Sequence, residues 1–405
     1  MRLPEQFSPL EAAVSMHLGA VLTPGQAQDL ACWVAGTLLA GSACLTLVVA
    51  ALVEALALGR WHRVRQALKE VLLDGAERSC PGRVQLTPER GFAPLLNWVL
   101  SLWPSRDLAL AVDVTTHKDR LTAIVISVLY RGRAIPVAWA LLPGQQQGAY
   151  LPPLLELLAA LAPATRGLRQ VTLAADQGLW SPTLYAQICA YGWHPLMRVH
   201  RNVTVWLGKR RPVRADRLVA GPGQAWVGRA VVHQDRQRQQ RLTVVVLWAA
   251  NYDEPWVVYT DLPPREVGVA WYALRYWIEL GFRDLKRLGW QWERTRRLEP
   301  TRVARHWLVL AIATLWSLAC GTEADDAACR RADGSQRPRV LSTFQRGRFV
   351  WLGLLLGRRP LPTPTLLPEP WPDTSRYPGL TVTYWQDPAD PEPAAQTHTA
   401  VNLPL

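Results

Sequence analysis

No CxxC pair and no clustering of histidine with cysteine occurs in the 405-residue chain. The six cysteines, Cys32, Cys44, Cys80, Cys189, Cys320 and Cys329, are scattered. That argues against structural zinc and offers no disulfide framework, so a reducing cytoplasm is the simplest setting. The opening residues, MRLPEQFSPLEAAV, lack the charged-then-apolar layout of a signal peptide. Acid is scarce relative to base, with 32 Asp and Glu against 45 Lys and Arg, giving a net charge of +13 and a pI near 9.9. Such a balance favours a polyanionic partner, nucleic acid first. No repeat of solenoid length is visible, and the length implies more than one domain. One uncharged stretch, residues 30–53, is long enough to span a bilayer. Gly36, Thr37, Gly41, Ser42 and Thr46 dilute it, and Gly41-Ser42 reads as a turn between two buried helices. No membrane association is expected.

Residues 1–100 read as an all-helical N-terminal domain. Thr23-Pro24 starts one helix, Gly41-Ser42 breaks it, and a second runs to about residue 58. A third begins near residue 60 with Trp61, His62, Arg63, Arg65 and Lys69 on a basic face. This layout suits a helix-turn-helix DNA reader, and equally any small helical bundle. Pro81-Gly82 and residues 88–94 read as the linker out of it. From Asp107 the period changes to that of strands. Residues 108–114, 121–130 and 133–141 predict a meander whose middle strand, apolar on both faces, lies inside a sheet. A helix over 152–161, a strand over 170–176, a helix over 181–191 and a strand over 194–199 complete a mixed α/β core. That core covers 101–200 plus 265–320. Residues 201–264 predict a β-rich insertion, with strands at 226–233, 242–249 and 256–262 around a polar turn. Its surface is basic, through Lys209, Arg210, Arg211, Arg214, Arg217, Arg236 and Arg238. Residues 301–319 read as an apolar helix. The segment 321–405 is polar and then Pro-rich, which predicts an exposed 324–339 and a mostly irregular tail.

The chemistry concentrates in residues 271–297, WYALRYWIELGFRDLKRLGWQWERTRR. Read as a helix from about residue 265, it turns Val267, Trp271, Leu274, Ile278, Phe282 and Leu285 to a core. Tyr272, Arg275, Glu279 and Lys286 then fall along one neighbouring edge. An i,i+4 Arg/Glu pair on an amphipathic helix is by itself ordinary. The two upstream aspartates change the reading. Asp113 ends the first predicted strand and Asp176 the fourth; parallel neighbours would deliver both carboxylates to one sheet edge, where open α/β sheets bind ligands. Three carboxylates without histidine or cysteine select a hard cation, Mg²⁺ or Mn²⁺. Two such ions roughly 4 Å apart suit phosphodiester chemistry. Arg275 and Lys286 suit phosphate oxygens, one as a fork and one as a point charge.

The spacing Tyr272-x2-Arg275-x3-Glu279-x6-Lys286 resembles the YREK signature of bacterial insertion-sequence transposases, which have a DDE active site on an RNase H-like fold. Asp113 in AVDVTTHKDRLTAIVISVLYRG and Asp176 in TLAADQGLWSP look like that family's two aspartates, and a long β insertion before the Glu is a further likeness. Gln177 departs from the Arg often found after the second Asp. The resemblance covers roughly residues 107–315. It implies an RNase H-like mixed sheet with flanking helices, and Asp113, Asp176 and Glu279 as catalytic residues holding two Mg²⁺ or Mn²⁺ ions. It also implies Tyr272, Arg275 and Lys286 on DNA phosphates, and cut-and-paste transposition by a homodimer on double-stranded transposon ends and target DNA. The setting would be the bacterial cytoplasm, at the nucleoid. An insertion aromatic stacks on a flipped base in that family, for which Trp206 and Trp226 are the candidates here. The competing reading is a catalytically silent DNA-binding relic or regulator.

Overall fold

A computed structural model describes residues 1–77, 85–144, 150–208, 212–232, 239–330, 337–357 and 362–386. Lys209, Arg210, Arg211, Arg236 and Arg238 of the expected basic surface, and Pro81-Gly82 of the expected linker, lie outside the described residues. The chain divides into two compact units, one of residues 1–197 with 272–372 and one of residues 198–271 with 373–405.

The first unit begins with five helices: α1 (Ser8–Leu18), α2 (Pro24–Ala40), α3 (Leu45–Ala50), α4 (Trp61–Leu72) and α5 (Phe92–Ser101). Thr23 caps α2 in a reciprocal box with Gln26, Pro24 fills its first position, and Gly41 ends it at φ 59°. The pair formed by α2 and residues 45–55 bends by 98° at this break. Residues 88–94, read as a linker from their prolines, instead form a 3-10 turn over Pro88–Gly91 and the start of α5. Proline sits comfortably in first helical turns, where its missing N–H costs nothing.

Three strands follow, β1 (Asp107–His117), β2 (Leu121–Tyr130) and β3 (Arg133–Pro143). Arg131 and Gly132 join the last two with φ of 47° and 75°, the two positive values that match a tight hairpin turn to strand twist. Then come α6 (Leu151–Leu161), β4 (Gln170–Ala175), α7 (Pro182–Ala190) and β5 (His194–Val199), whose last two residues begin the second unit. β1 pairs antiparallel with β2 and parallel with β4, and β4 pairs parallel with β5, giving the order β3-β2-β1-β4-β5. Helical crossovers are what make such parallel neighbours possible. Every residue of β2 is buried, as expected of a strand apolar on both faces.

Three more helices complete the unit: α8 (Tyr276–Leu285), α9 (Pro300–Cys329) and α10 (Thr343–Leu355). α9 is long and apolar enough to cross a membrane, yet its apolar window is wholly buried in the protein. It packs on β3, α2 and α10. Arg305, 2% exposed on α9, donates to Leu86 O at 3.0 Å, Leu72 O at 2.5 Å and Asp74 Oδ1 at 2.5 Å. One guanidinium thus closes the carbonyl end of α4. Arg305→Ala strands the buried Leu72 and Leu86 carbonyls and should cost about 2 kcal/mol, read as a lower urea midpoint with unchanged slope. An unchanged midpoint would mean the ties carry no stability.

Of the segment expected to be exposed over 324–339, residues 331–336 lie outside the described residues and most of the others are exposed, but Asp325 and Cys329 are buried. Asp325 is fully buried between Arg131, Arg339 and Arg346, at 3.2, 2.8 and 3.2 Å. Its arginine partners stand 14, 21 and 194 residues away in sequence and meet it only in the fold.

The second unit holds β6 (Thr204–Trp206), β7 (Val213–Arg214), β8 (Gln224–Val232), β9 (Gln240–Trp248), β10 (Trp256–Thr260) and β11 (Thr381–Trp385). The order is β10-β9-β8-β6-β7, antiparallel throughout. β11 adds to β8 in parallel, so part of the tail expected to be irregular is a strand. Its alternating Thr381, Val382, Thr383, Tyr384 and Trp385 carry β-formers that proline-rich flanks obscure. Trp226 on β8 is 5% exposed and stacks on Trp385 at 6.1 Å, while Trp206 on β6 is half-buried.

Candidate active site

Asp113 stands in β1, one residue beyond Val112, which pairs with Ala175 of β4. Asp176 follows Ala175 directly. The parallel register therefore sets the two aspartates side by side, as strand neighbours require. One expectation needs correcting: β1 does not end at Asp113 but runs on to His117. The polar residues Thr115 and Thr116 hide this continuation in the sequence, although both pair with β2.

Glu279 arrives on α8, and α8 is shorter than the helix read over 265–297. Residues 271–275 form a 3-10 turn, the α-helix covers Tyr276–Leu285, and Lys286 leaves it at φ −91° and ψ −108°. Arg275 and Glu279 keep their i,i+4 relation, whereas Tyr272 and Lys286 flank the helix at either end. Gly281 lets α8 lie close on β3, because a Cβ there would stand 2.8 Å from that of Ala134. Past the helix, Trp290 N donates to Asp284 O at 2.8 Å, and its indole nitrogen donates to Thr314 Oγ1 at 2.9 Å. Burial of Trp290 thus ties the end of α8 to α9.

The three carboxylates meet at one guanidinium. Arg275 Nη2 lies 3.1 Å from Asp113 Oδ2 and 3.3 Å from Asp176 Oδ2, and Nη1 lies 2.5 Å from Glu279 Oε1. Tyr272 donates its hydroxyl to Asp176 Oδ1 at 3.2 Å. Val114 N donates to Asp113 Oδ1 at 2.8 Å. Lys286 Nζ donates to Thr116 O at 2.9 Å, beside the end of β1. Residues 113, 176 and 279, separated in sequence, therefore share one site with Tyr272 and Arg275, and Lys286 stands on the same strand's exit. Trp206 and Trp226 belong to the other unit.

Burial pushes the Asp113 carboxyl above its ordinary range; Arg275 and the Val114 amide oppose this, and the Asp176 and Glu279 charges add to it. Burial pulls Arg275 down, but Asp113, Tyr272, Asp176 and Glu279 outweigh it and hold the guanidinium above its usual value. Burial pulls Lys286 down, with Glu293 opposing. The donor set of three carboxylates facing one cation keeps a formal surplus of two negative charges. In kind and charge that fits a hard divalent ion. In spacing it fits only if Arg275 withdraws, since no group of three or more His, Cys, Asp or Glu stands at metal-binding distances among the described residues.

Asp284, on α8 and not singled out by the sequence, is the second carboxylate of this helix. It is 3% exposed and lies 3.0 Å from Arg133 Nε. Burial dominates over Arg133, Arg348 and Arg283 and raises its pKa to about 7. A raised folded pKa means the native state keeps a proton the unfolded chain has lost. Stability should therefore fall as pH rises from about 4 to 7 and level off above that. Asp284→Asn should flatten this slope in urea midpoints measured at pH 5 and 8; equal slopes in both proteins would contradict the assignment.

No curated protein matches this chain. Among solved structures, the piggyBac transposase synaptic complex with hairpin DNA is similar at 12% identity and a TM-score of 0.39, over 90% of this chain and 80% of that one. Likeness that distant adds nothing to the reading of the site. Residues 124–316 match the family model of the transposase DDE domain, a span just under half the chain that contains Asp176 and α8 but opens after Asp113, and this match supports a DDE transposase.

Proposed function

We propose that this chain is a DDE transposase of the YREK-signature group, cutting DNA at transposon ends and joining the freed 3′ ends to target DNA. The observation that carries the reading is the convergence of Asp113, Asp176 and Glu279 on Arg275, inside or beside the matched segment. The order β3-β2-β1-β4-β5, with β1 antiparallel to β2 and parallel to β4, supports an RNase H-like reading of the core.

Asp113, Asp176 and Glu279 would hold the divalent ions, two Mg²⁺ or Mn²⁺. Bound there, such ions supply an activated water or 3′-hydroxyl and stabilise the leaving oxygen of a phosphodiester. Tyr272 orients Asp176 through its hydroxyl. Arg275 and Lys286 would hold phosphate oxygens at the scissile end. The net charge of +13 suits the long-range capture of DNA. Helices of residues 1–100, with the basic face of α4, would add end recognition, and a homodimer would pair two ends in the bacterial cytoplasm.

The test is cleavage of a duplex carrying the inverted repeats that flank the gene, with Mg²⁺ or Mn²⁺, read on a denaturing gel. Metal-dependent nicks at the repeat boundary are expected. End-binding without any cleavage under either ion would instead favour a silent relic. Lys286→Ala should fold normally, lose cleavage or joining, and lower the salt slope of end-binding by about one unit. An unchanged slope with full joining would remove the phosphate role.

A further inference from the structure

Arg275 uses both of its terminal nitrogens on acids. Nη2 is shared between Asp113 and Asp176, and Nη1 is spent on Glu279. A fork so occupied cannot grip a phosphate in bidentate fashion at the same time. The two roles that this site needs, carboxylates open to a cation and a guanidinium open to DNA, are thus both withheld by one set of contacts.

We propose that Arg275 is the counterion of the cation-free site: its guanidinium holds the three carboxylates together until a divalent ion displaces it, and displacement frees the fork for DNA phosphate. This rests on the divalent-ion reading above and adds to it a competition within the chain. Three further observations support it. A single guanidinium leaves three carboxylates with an unbalanced surplus of negative charge, which a divalent ion balances better. Arg275 Nε is buried without a hydrogen-bond partner, so the present position is not one in which the side chain is fully satisfied. The Asp176 and Glu279 side chains are 37% and 44% exposed, which leaves a solvent path for an arriving ion while Arg275 itself is 12% exposed.

The competition has a quantitative form. The apparent affinity for the ion is its intrinsic affinity reduced by the fraction of molecules in which the guanidinium has moved out. Removing the guanidinium removes that reduction. It also leaves three carboxylates facing one another, so the cation-free protein should lose stability while the loaded one does not.

Calorimetric titration of Mn²⁺ into the full chain without DNA tests this, comparing wild type with Arg275→Gln and Arg275→Lys. Arg275→Gln should bind Mn²⁺ at least about tenfold more tightly, with Arg275→Lys between the two. In chelator Arg275→Gln should melt below wild type, and its gain in melting temperature on adding Mn²⁺ should be the larger. Should Arg275→Gln fold only with Mn²⁺ present, its unfolding on chelation is the same result in stronger form. Equal or weaker Mn²⁺ affinity in Arg275→Gln, with wild type binding normally, would overturn the competition and leave the divalent-ion reading standing. Absence of binding in every protein would overturn both.

Discussion

Asp176→Asn should reduce strand cleavage at transposon ends by roughly 1000-fold while end-binding survives. The substitution keeps the shape of the side chain and an acceptor for the Tyr272 hydroxyl, now 3.2 Å from Asp176 Oδ1. What it removes is a negative charge beside Asp113, set there by the register of Val112 against Ala175. A divalent ion held by carboxylates loses a ligand of the hard, charged kind it requires. Asp113→Asn and Glu279→Gln should act alike, because the three share one site around Arg275. In protein–DNA complexes generally, affinity comes mainly from phosphate contacts, so binding and cleavage should separate. Wild-type cleavage by any of the three variants would remove that residue from the chemistry.

The largest stability effect should come from Asp325→Ala. Asp325 is fully buried and accepts from Arg131, Arg339, Arg346 and the Thr343 hydroxyl, the last at 2.9 Å. Truncation leaves three guanidinium groups without their shared anion, and breaking a buried pair from one side costs about 3–5 kcal/mol. Burial raises the Asp325 carboxyl, but Arg339, Thr343 and Arg131 outweigh it and hold it below the ordinary value of 3.8. A depressed folded pKa gives stability that is fully present above about pH 4 and fades as pH falls through the lower folded value. Chemical denaturation of wild type and variant at pH 7 would read the difference directly. A change under about 1 kcal/mol would mean that Asp326 and Glu369, already paired with Arg131 and Arg339, suffice for the arginines.

Much of the core was legible because its strands are local patterns. β2 matches its predicted 121–130 at both ends, since a mostly apolar, β-branched run bounded by turn residues reads as a buried strand, and Arg131-Gly132 supplies the turn. The side-by-side placement of Asp113 and Asp176 followed from a crossover helix between two strands. What failed was whatever depends on distant partners. β1 runs beyond the predicted 108–114 because Thr115 and Thr116 look like loop until β2 pairs with them. The helix read over 265–297 shrank to Tyr276–Leu285. Its apolar spacing persists through a 3-10 turn and through a tail whose tryptophans, Trp290 and Trp292, are buried by tertiary packing. The burial of Asp325 carries no sequence signal, since its arginines come from 14, 21 and 194 residues away and converge only in the fold. The sequence pairs Arg275 with Glu279 at i,i+4 and suits it to phosphate; that it also bridges the two aspartates appears only in the fold.

The central claim is that Asp113, Asp176 and Glu279 together hold a divalent ion, and iron-directed cutting of the polypeptide tests it without any DNA. Fe²⁺ in the site, with ascorbate and peroxide, releases hydroxyl radicals that break the backbone nearby. Cuts clustered at residues 113, 176 and 279, suppressed by excess Mg²⁺ and lost in Asp113→Asn, are the result this account requires. Cuts confined elsewhere, or cuts at these positions that Mg²⁺ does not suppress, would contradict it.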